Sequence, residues 1–378
     1  MRDFQKNNKF VFVSNVDILR PRGGWDGLGG KVFRLLSEHS LNIQLLQNVN
    51  PGVSLISKGV SKVLRKSGLR GSFTIFGKRR LKLVKDILEK EILSDATYLI
   101  FHGSTPWIGY KPSQKYCALL DCSFMTYMQV YHDIKRFSRS DIKRIMEAER
   151  LFFERAHKIF FTTRWALEDA CKLYDLPGKN FHVIGQGPSA VGSDIYKDNY
   201  KVKNQFLFIA TDFLGKGGAE VCNSFSEFLK VFPDYELVIV GQRPPEHFLE
   251  GKNIRFMGFI NKSTQEGLQQ LGQLYSETKA LLMMTRKDIA PLVVIEAGLS
   301  GCPTIANKVA GLSEMINDKR TGLLIDSTEK DLLQAMHYMA ALPEADMQEM
   351  RAAVKSFSST SFSWDTIINN IIQHIYKP

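Results

Sequence analysis

The chain is poor in the features that mark several large protein classes. Its 378 residues include five cysteines, Cys117, Cys122, Cys171, Cys222 and Cys302, an odd number with no Cys-x-x-Cys pair. That argues against a disulfide scaffold and a zinc ribbon, and leaves buried thiols in a reducing compartment as the expectation. No apolar run approaches the ~20 residues that cross a bilayer, and the apolar stretch before Ser14 is too short for a secretory leader, so neither export nor integral membrane residence is expected. No glycine-rich loop ends in Gly-Lys-Ser/Thr, no Gly-x-Ser-x-Gly elbow occurs, Asp-x-Asp is missing, and no His/Cys/Asp group has ligand spacing. Walker-type phosphate binding, serine-hydrolase chemistry and a resident metal are therefore not indicated. With 44% hydrophobic and 24% charged residues the composition is that of a folded globular protein, and the length calls for two cores.

Charge is abundant but uneven. The formal net charge is +11, and between Lys58 and Glu91 eleven basic side chains face three acidic ones. Either this is a solvated basic face, or its partner is an anionic surface, a bilayer rich in acidic lipids or an acidic acceptor. Nucleic acid is not expected, because no recognition helix, zinc finger or RNA-binding signature accompanies the charge.

Short β-branched and aromatic runs alternate with amphipathic stretches through most of the chain, the pattern of parallel sheets with helical crossovers. In the first half strands are expected at 10–14, 43–48, 98–102, 117–121, 159–163 and 182–185, with helices at 30–39, 141–156 and 165–174 and one or two more within Lys58–Glu91. Around Pro188–Asn204 the apolar rhythm stops, which marks a linker. A second series follows, with strands at 206–210, 236–240, 254–257, 281–284, 304–306 and 323–325 and helices at 220–231, 263–276, 291–300 and 329–340. Further helices at 344–357 and 364–376 close the sequence. The expected division is 1–190 and 200–358.

Ligands of open α/β sheets bind at the carboxyl ends of strands, so the loops there carry most weight. The loop Arg20–Lys31 holds five glycines before a helix expected at Val32; their N–H groups suit a phosphate, although the spacing is neither dinucleotide-binding nor Walker. Thr211–Gly218 places Lys216 and Gly217 between a strand and a helix, where an ammonium group can meet a diphosphate. Eight positions separate Asp288 from Glu296, and Pro291 lies between them at an expected helix start. An anion is attracted to such a start, and carboxylates beside it accept hydrogen bonds from sugar hydroxyls. Glu296 sits among Val293, Val294, Ile295, Ala297 and Leu299, where a carboxylate must find a donor. Gly311, Leu312 and Ser313 open another short helix, and Glu314 beside them is either a ligand or a partner of the helix dipole. His102 and His132 lie near expected strand ends, where a satisfied structural histidine is the ordinary reading.

The series Asp212-Phe-x-x-Lys-Gly-Gly218, Val238-Ile-Val-Gly241, Gly258-Phe-Ile260, Asp288-x7-Glu296 with Gly301-x-Pro303, and Gly311-Leu-Ser-Glu-Met-Ile316 with Thr321-Gly-Leu-Leu324 resembles the donor half of the retaining glycosyltransferases of the large family numbered four. The likeness is strong over about 205–325; before that it rests on Gly29-Gly30 and on Phe161-Thr-Thr-Arg-Trp-Ala166. It implies the GT-B fold, two Rossmann-like doubly wound domains facing a central cleft, with the first domain binding the acceptor and a helix at about 360–378 packing back on it. It implies that Glu296 binds the ribose of a UDP-, GDP- or ADP-sugar, that Asp288 lies against the transferred sugar, and that Lys216 neutralises the departing diphosphate. Gly29 and Gly30, or else Gly23 and Gly24, would offer N–H groups to the phosphates, and Asp121 would stand near the sugar. No cofactor or metal is implied. The acceptor would be a glycan, a lipid-linked or a small molecule, and the setting cytoplasmic or peripheral on the inner face of a membrane. Two departures stand out: Asp288 where glutamate is usual, and Gly215 where an arginine often neighbours the lysine. A catalytically inactive nucleotide-sugar-binding member, and an epimerase or phosphorylase of the same architecture, are the rival expectations.

Overall fold

The computed structural model describes residues 9–20, 24–39, 42–92, 94–188 and 201–376. It divides into two compact units, one formed by residues 1–186 with 367–378, the other by 187–366. Residues 189–200 of the expected linker lie outside the described residues.

The first unit holds strands β1 (Phe10–Val13), β2 (Ile43–Leu46), β3 (Tyr98–His102), β4 (Lys115–Leu120), β5 (Lys158–Phe161) and β6 (Phe181–Val183). They form one sheet in the order β2-β1-β3-β4-β5-β6, and every pairing is parallel. Between them run α1 (Gly24–Glu38), α2 (Leu55–Lys66), α3 (Lys78–Glu91), α4 (Phe124–Tyr131), α5 (Arg139–Arg155) and α6 (Arg164–Tyr174). All four residues of β1 and all five of β3 are buried, as a parallel sheet covered by helices on both faces requires. Helix starts are set by hydroxyls: Ser123, Ser138 and Thr163 each accept from the N–H three residues on. Helix α4 has no counterpart in the sequence reading, where Phe124–Tyr131 was too evenly apolar to show a face.

The second unit repeats the plan with β7 (Gln205–Ala210), β8 (Glu236–Gly241), β9 (Ile254–Phe256), β10 (Ala280–Met283), β11 (Thr304–Asn307) and β12 (Gly322–Ile325). Their order is β12-β11-β10-β7-β8-β9, again all parallel. The helices are α7 (Gly218–Phe228), α8 (Glu246–Leu249), α9 (Gln265–Glu277), α10 (Leu292–Leu299), α11 (Glu329–Ala341), α12 (Glu344–Ser361) and α13 (Trp364–Tyr376), which begins in this unit and from Ile367 onward belongs to the first. Successive strand residues serve opposite cores: Phe206, Phe208 and Leu282 join one, Leu207, Val238 and Leu281 the other. The Thr328 hydroxyl expected to cap α11 does so, accepting from Asp331 N–H.

The consequence for function lies in the strand order. In the second sheet the chain moves outward from β7 in one direction and from β10 in the other, so these neighbours form a topological switch point, and the loops leaving their carboxyl ends diverge and open a crevice. In the first sheet β1 and β3 play the same part.

Candidate functional site

Two loops meet at the switch point of the second sheet. The loop after β7 carries Lys216, and the loop after β10 carries Asp288. The Lys216 ammonium donates to the Asp288 carboxylate and, at 3.4 Å, to the Lys287 carbonyl. Burial pushes the Asp288 carboxyl above the usual carboxylate range, and Lys216 offsets part of that rise. The pair is mostly withdrawn from water, with side-chain exposures of 23% and 17%.

The β7 loop is held by side-chain acceptors that take its backbone N–H groups. The Gln242 side chain accepts from Phe213 N–H at 2.6 Å, and Asp212 accepts from Gly215 N–H at 3.0 Å. Gly217 turns left-handed at φ +81° to start α7, and a Cβ there would stand 2.3 Å from the Met284 carbonyl oxygen, so glycine is required by geometry. Its N–H is taken by the Leu214 carbonyl at 3.2 Å, and its turn sets the direction of Lys216 beside it. At Gly215 a side chain would meet the Asp212 carboxylate 2.1 Å away, so an arginine there would first have to displace it. Arg243 and Arg286 do not fill its place: each is largely exposed and paired, with Glu246 and Glu220.

Glu296 lies in the middle of α10 and is 1% exposed. Its Oε2 accepts from the Lys262 ammonium at 2.5 Å and from the Tyr275 hydroxyl at 3.2 Å. A buried carboxylate was expected to need a donor, and two protein groups supply it. Neither was found from sequence: Lys262 falls just past the Gly258-Phe-Ile260 stretch, and Tyr275 reads as an ordinary core residue of α9. Gly311, Leu312 and Ser313 lie in a single 3-10 turn, Ala310–Glu314, beyond β11. Leu312 is fully buried and its N–H goes to the Val309 carbonyl at 3.1 Å, so it is a packing residue. Ala310 and Gly311 occupy the start of the turn, where N–H groups have no partner within it, and Ala310 takes φ +46°, a strained choice for a residue with a Cβ.

In the first unit a cavity of about 870 Å³ opens at the carboxyl ends of β1, β3 and β4, lined among others by Asn15, Trp25, His102, Asp121, Phe124 and Tyr127. Asp121 is therefore in a pocket, its Oδ1 accepting from Cys122 N–H at 2.8 Å. Burial raises its pKa, and that N–H opposes the rise. His102 stacks on Trp25 with ring centroids 4.6 Å apart, and its Nδ1 lies 3.2 Å from the Ser14 hydroxyl. Burial lowers its pKa to about 4, against a smaller opposing pull from the Trp25 backbone. One pocket wall is tied down by Glu149, which is fully buried and was not singled out from sequence. Its carboxylate accepts from Ser104 Oγ at 2.6 Å, Thr105 Oγ1 at 3.1 Å, Phe124 N–H at 2.9 Å and the Tyr174 hydroxyl.

The glycine-rich loop is corrected by the structure. Helix α1 begins at Gly24, so Gly29 and Gly30 lie beyond its first turn, where the helix uses their N–H groups and none is available to a phosphate. What they provide is close approach: a Cβ on Gly29 would stand 2.7 to 2.9 Å from three atoms of the His102 ring, and one on Gly30 2.2 Å from the Ile18 carbonyl oxygen. Gly24 opens the helix at φ +53°, and Gly23 lies outside the described residues.

Comparison with known proteins agrees with this layout. Residues 203–341 match the family model described as Glycosyl transferases group 1. An uncharacterized 41.2 kDa protein in the cps region of Klebsiella pneumoniae is 30% identical over 145 residues, 38% of either chain. The D-inositol 3-phosphate glycosyltransferase of Segniliparus rotundus is 26% identical over 166 residues, 42% of this chain and 36% of that protein. These matches thus span less than two fifths of the relatives' length. Among solved structures, sucrose-phosphate synthase from Thermosynechococcus elongatus superposes with a TM-score of 0.70 at 15% identity, over 97% of this chain and 98% of that one. Anabaena HepE, solved with UDP-glucose, gives 0.59 at 11% identity over 97% and 99%. Residues 203–341 are thus a domain of the glycosyl transferases group 1 family, and the chain that carries it has the GT-B fold of two doubly wound α/β units.

Proposed function

We propose that the protein is a retaining glycosyltransferase that takes a sugar from a nucleotide-diphosphate donor bound by the second unit. The observation that carries this reading is the convergence of Lys216 and Asp288 from adjacent strand ends at the β7/β10 switch point. In the free protein the two charges answer each other. A donor separates their tasks: its diphosphate takes the ammonium group, and the hydroxyls of its sugar donate to the freed carboxylate. Glu296 accepts the ribose hydroxyls, with Lys262 and Tyr275 fixing its carboxylate, and the turn at Ala310–Glu314 faces its first N–H groups to phosphate.

Chemistry in such a site is positioning and charge stabilisation. Negative charge grows on the diphosphate as the glycosidic bond breaks, and Lys216 is placed to meet it; the departing oxygen takes the acceptor proton on the same face from which the acceptor attacks, which retains configuration. The aromatic pocket around Trp25 and Asp121 is the candidate acceptor site of the first unit. The five free thiols fit work in a reducing compartment.

Incubation with UDP-, GDP- and ADP-sugars, following nucleotide release with and without acceptors, tests the reading. One donor should be turned over, with the anomeric configuration kept in the product, and Lys216→Ala should lower kcat by about 10²–10³-fold, the usual cost of removing one donor to a developing charge. Donor binding with no release would identify an inactive binding protein, and release of sugar phosphate from inorganic phosphate a phosphorylase.

A further inference from the structure

Helix α2 is oriented against the ordinary rule. A surface helix turns its apolar stripe to the core, yet the only buried residue of α2 is Ser61, while Leu55, Ile56, Val60 and Val63 are 82%, 79%, 55% and 66% exposed. Ile56, Val60 and Val63 recur at spacings of four and three and so share one stripe. Lys58, Lys62 and Lys66 on the same helix are exposed as well, Arg65 is half-buried against Ser61, and the helix contains no acidic residue. The arrangement is anchored through polar contacts: Ser54 caps the first turn, and the Ser61 hydroxyl donates to the Ser72 carbonyl at 2.8 Å while accepting from Arg65 at 2.7 Å. Beside it a groove of about 830 Å³ lies between α2 and α3, lined by four further cations, Lys78, Arg79, Arg80 and Arg144, against one acid, Asp141.

We infer that α2 is an interfacial helix that seats the first unit on a bilayer surface containing acidic phospholipid. The exposed stripe enters the boundary of the acyl region, and the lysines beside it meet lipid phosphates. Charge selects this occupant over the others. A second copy packed through the same face would bring two cationic strips together, which costs affinity, and a nucleic acid offers nothing to cover an apolar stripe. No residue of the second unit enters the argument, so it stands or falls independently of the donor site. Nor is a spanning segment involved, since among the described residues no helix is long and apolar enough to cross a membrane.

Co-sedimentation of the full chain with vesicles of phosphatidylcholine, alone or mixed with phosphatidylglycerol, tests the inference. The protein should pellet with the mixed vesicles only and be released by rising salt. Lys58→Gln, Lys62→Gln and Lys66→Gln should each weaken binding about fivefold. The double variant Ile56→Ser with Val63→Ser should lose about tenfold or more, and since those side chains face water in the free protein it should melt at the wild-type temperature. Absence of binding to mixed vesicles at low salt would overturn the inference, as would binding that neither set of variants weakens. A dimer in sedimentation velocity that the serine variants convert to monomer would also overturn it, by assigning the face to a second copy.

Discussion

Replacing Glu149 by alanine should destabilise the first unit severely, and the size of the loss follows from its partners. Four donors converge on this carboxylate, from Ser104, Thr105, Phe124 N–H and Tyr174. Thr105 is only half-buried and finds water, but Ser104, the Phe124 amide and Tyr174 are buried and would be stranded. Each stranded donor costs about 1–3 kcal/mol, and the hydroxyls recover part of this by rotating, which leaves about 4–5 kcal/mol. A unit of this size loses roughly 2–4 °C of melting temperature per kcal/mol, so a fall of about 8–20 °C is expected. Glu149→Gln keeps one acceptor oxygen and the volume, and strands chiefly the Phe124 amide, for about 2 kcal/mol. Thermal unfolding followed by circular dichroism measures both. If Glu149→Ala melts within 2–3 °C of wild type, roughly the effect of 1 kcal/mol, the four contacts are not the staple they are held to be, and the pocket wall they fix is not rigid.

Gly217→Ala should cost about 2 kcal/mol or more, because the new Cβ meets the Met284 carbonyl at a left-handed position; it should also lower turnover by misplacing Lys216, and equal activity would show that the loop accommodates the change. Stability should depend on pH through His102. Its folded pKa of about 4 lies below the usual 6.5, so the unfolded state binds the extra proton between those values; stability is retained above pH ~6.5 and falls by about 3 kcal/mol as pH drops toward 4, and His102→Asn should remove that slope from denaturant titrations. Lys262→Ala should raise the donor KM about tenfold, an order-of-magnitude figure for a lost charge-assisted contact, with kcat little changed; a fall in kcat alone would place Lys262 in the chemistry instead.

The alternation of short strands and amphipathic helices made both sheets legible in the sequence, because burial on both faces leaves continuous apolar runs that few other structures share. The tertiary pairing of charges was not legible. Glu149 stands in a helix between Glu147 and Arg150, where it looks like one more solvated acid, and only the folding of α4 and α6 against α5 shows it to be buried. Gly29 and Gly30 misled because glycine disfavours helices by about 1 kcal/mol each; the close approach of His102 and Ile18 overrides that preference, and nothing local announces it. Lys216 and Asp288 were found separately from their loops, while their contact depends on β7 lying beside β10, a fact of topology that no local spacing contains.

The central claim is that a nucleotide sugar is held in the second unit through Lys216, Asp288 and Glu296. Thermal unfolding of wild type and Glu296→Ala with each of the UDP-, GDP- and ADP-sugars tests it most directly. A donor at one hundred times its Kd adds about 2.7 kcal/mol to the native state, so one nucleotide series should raise the wild-type midpoint by roughly 5–10 °C and leave the variant's midpoint unmoved. An equal rise in both proteins, or no rise with any donor, would contradict the account.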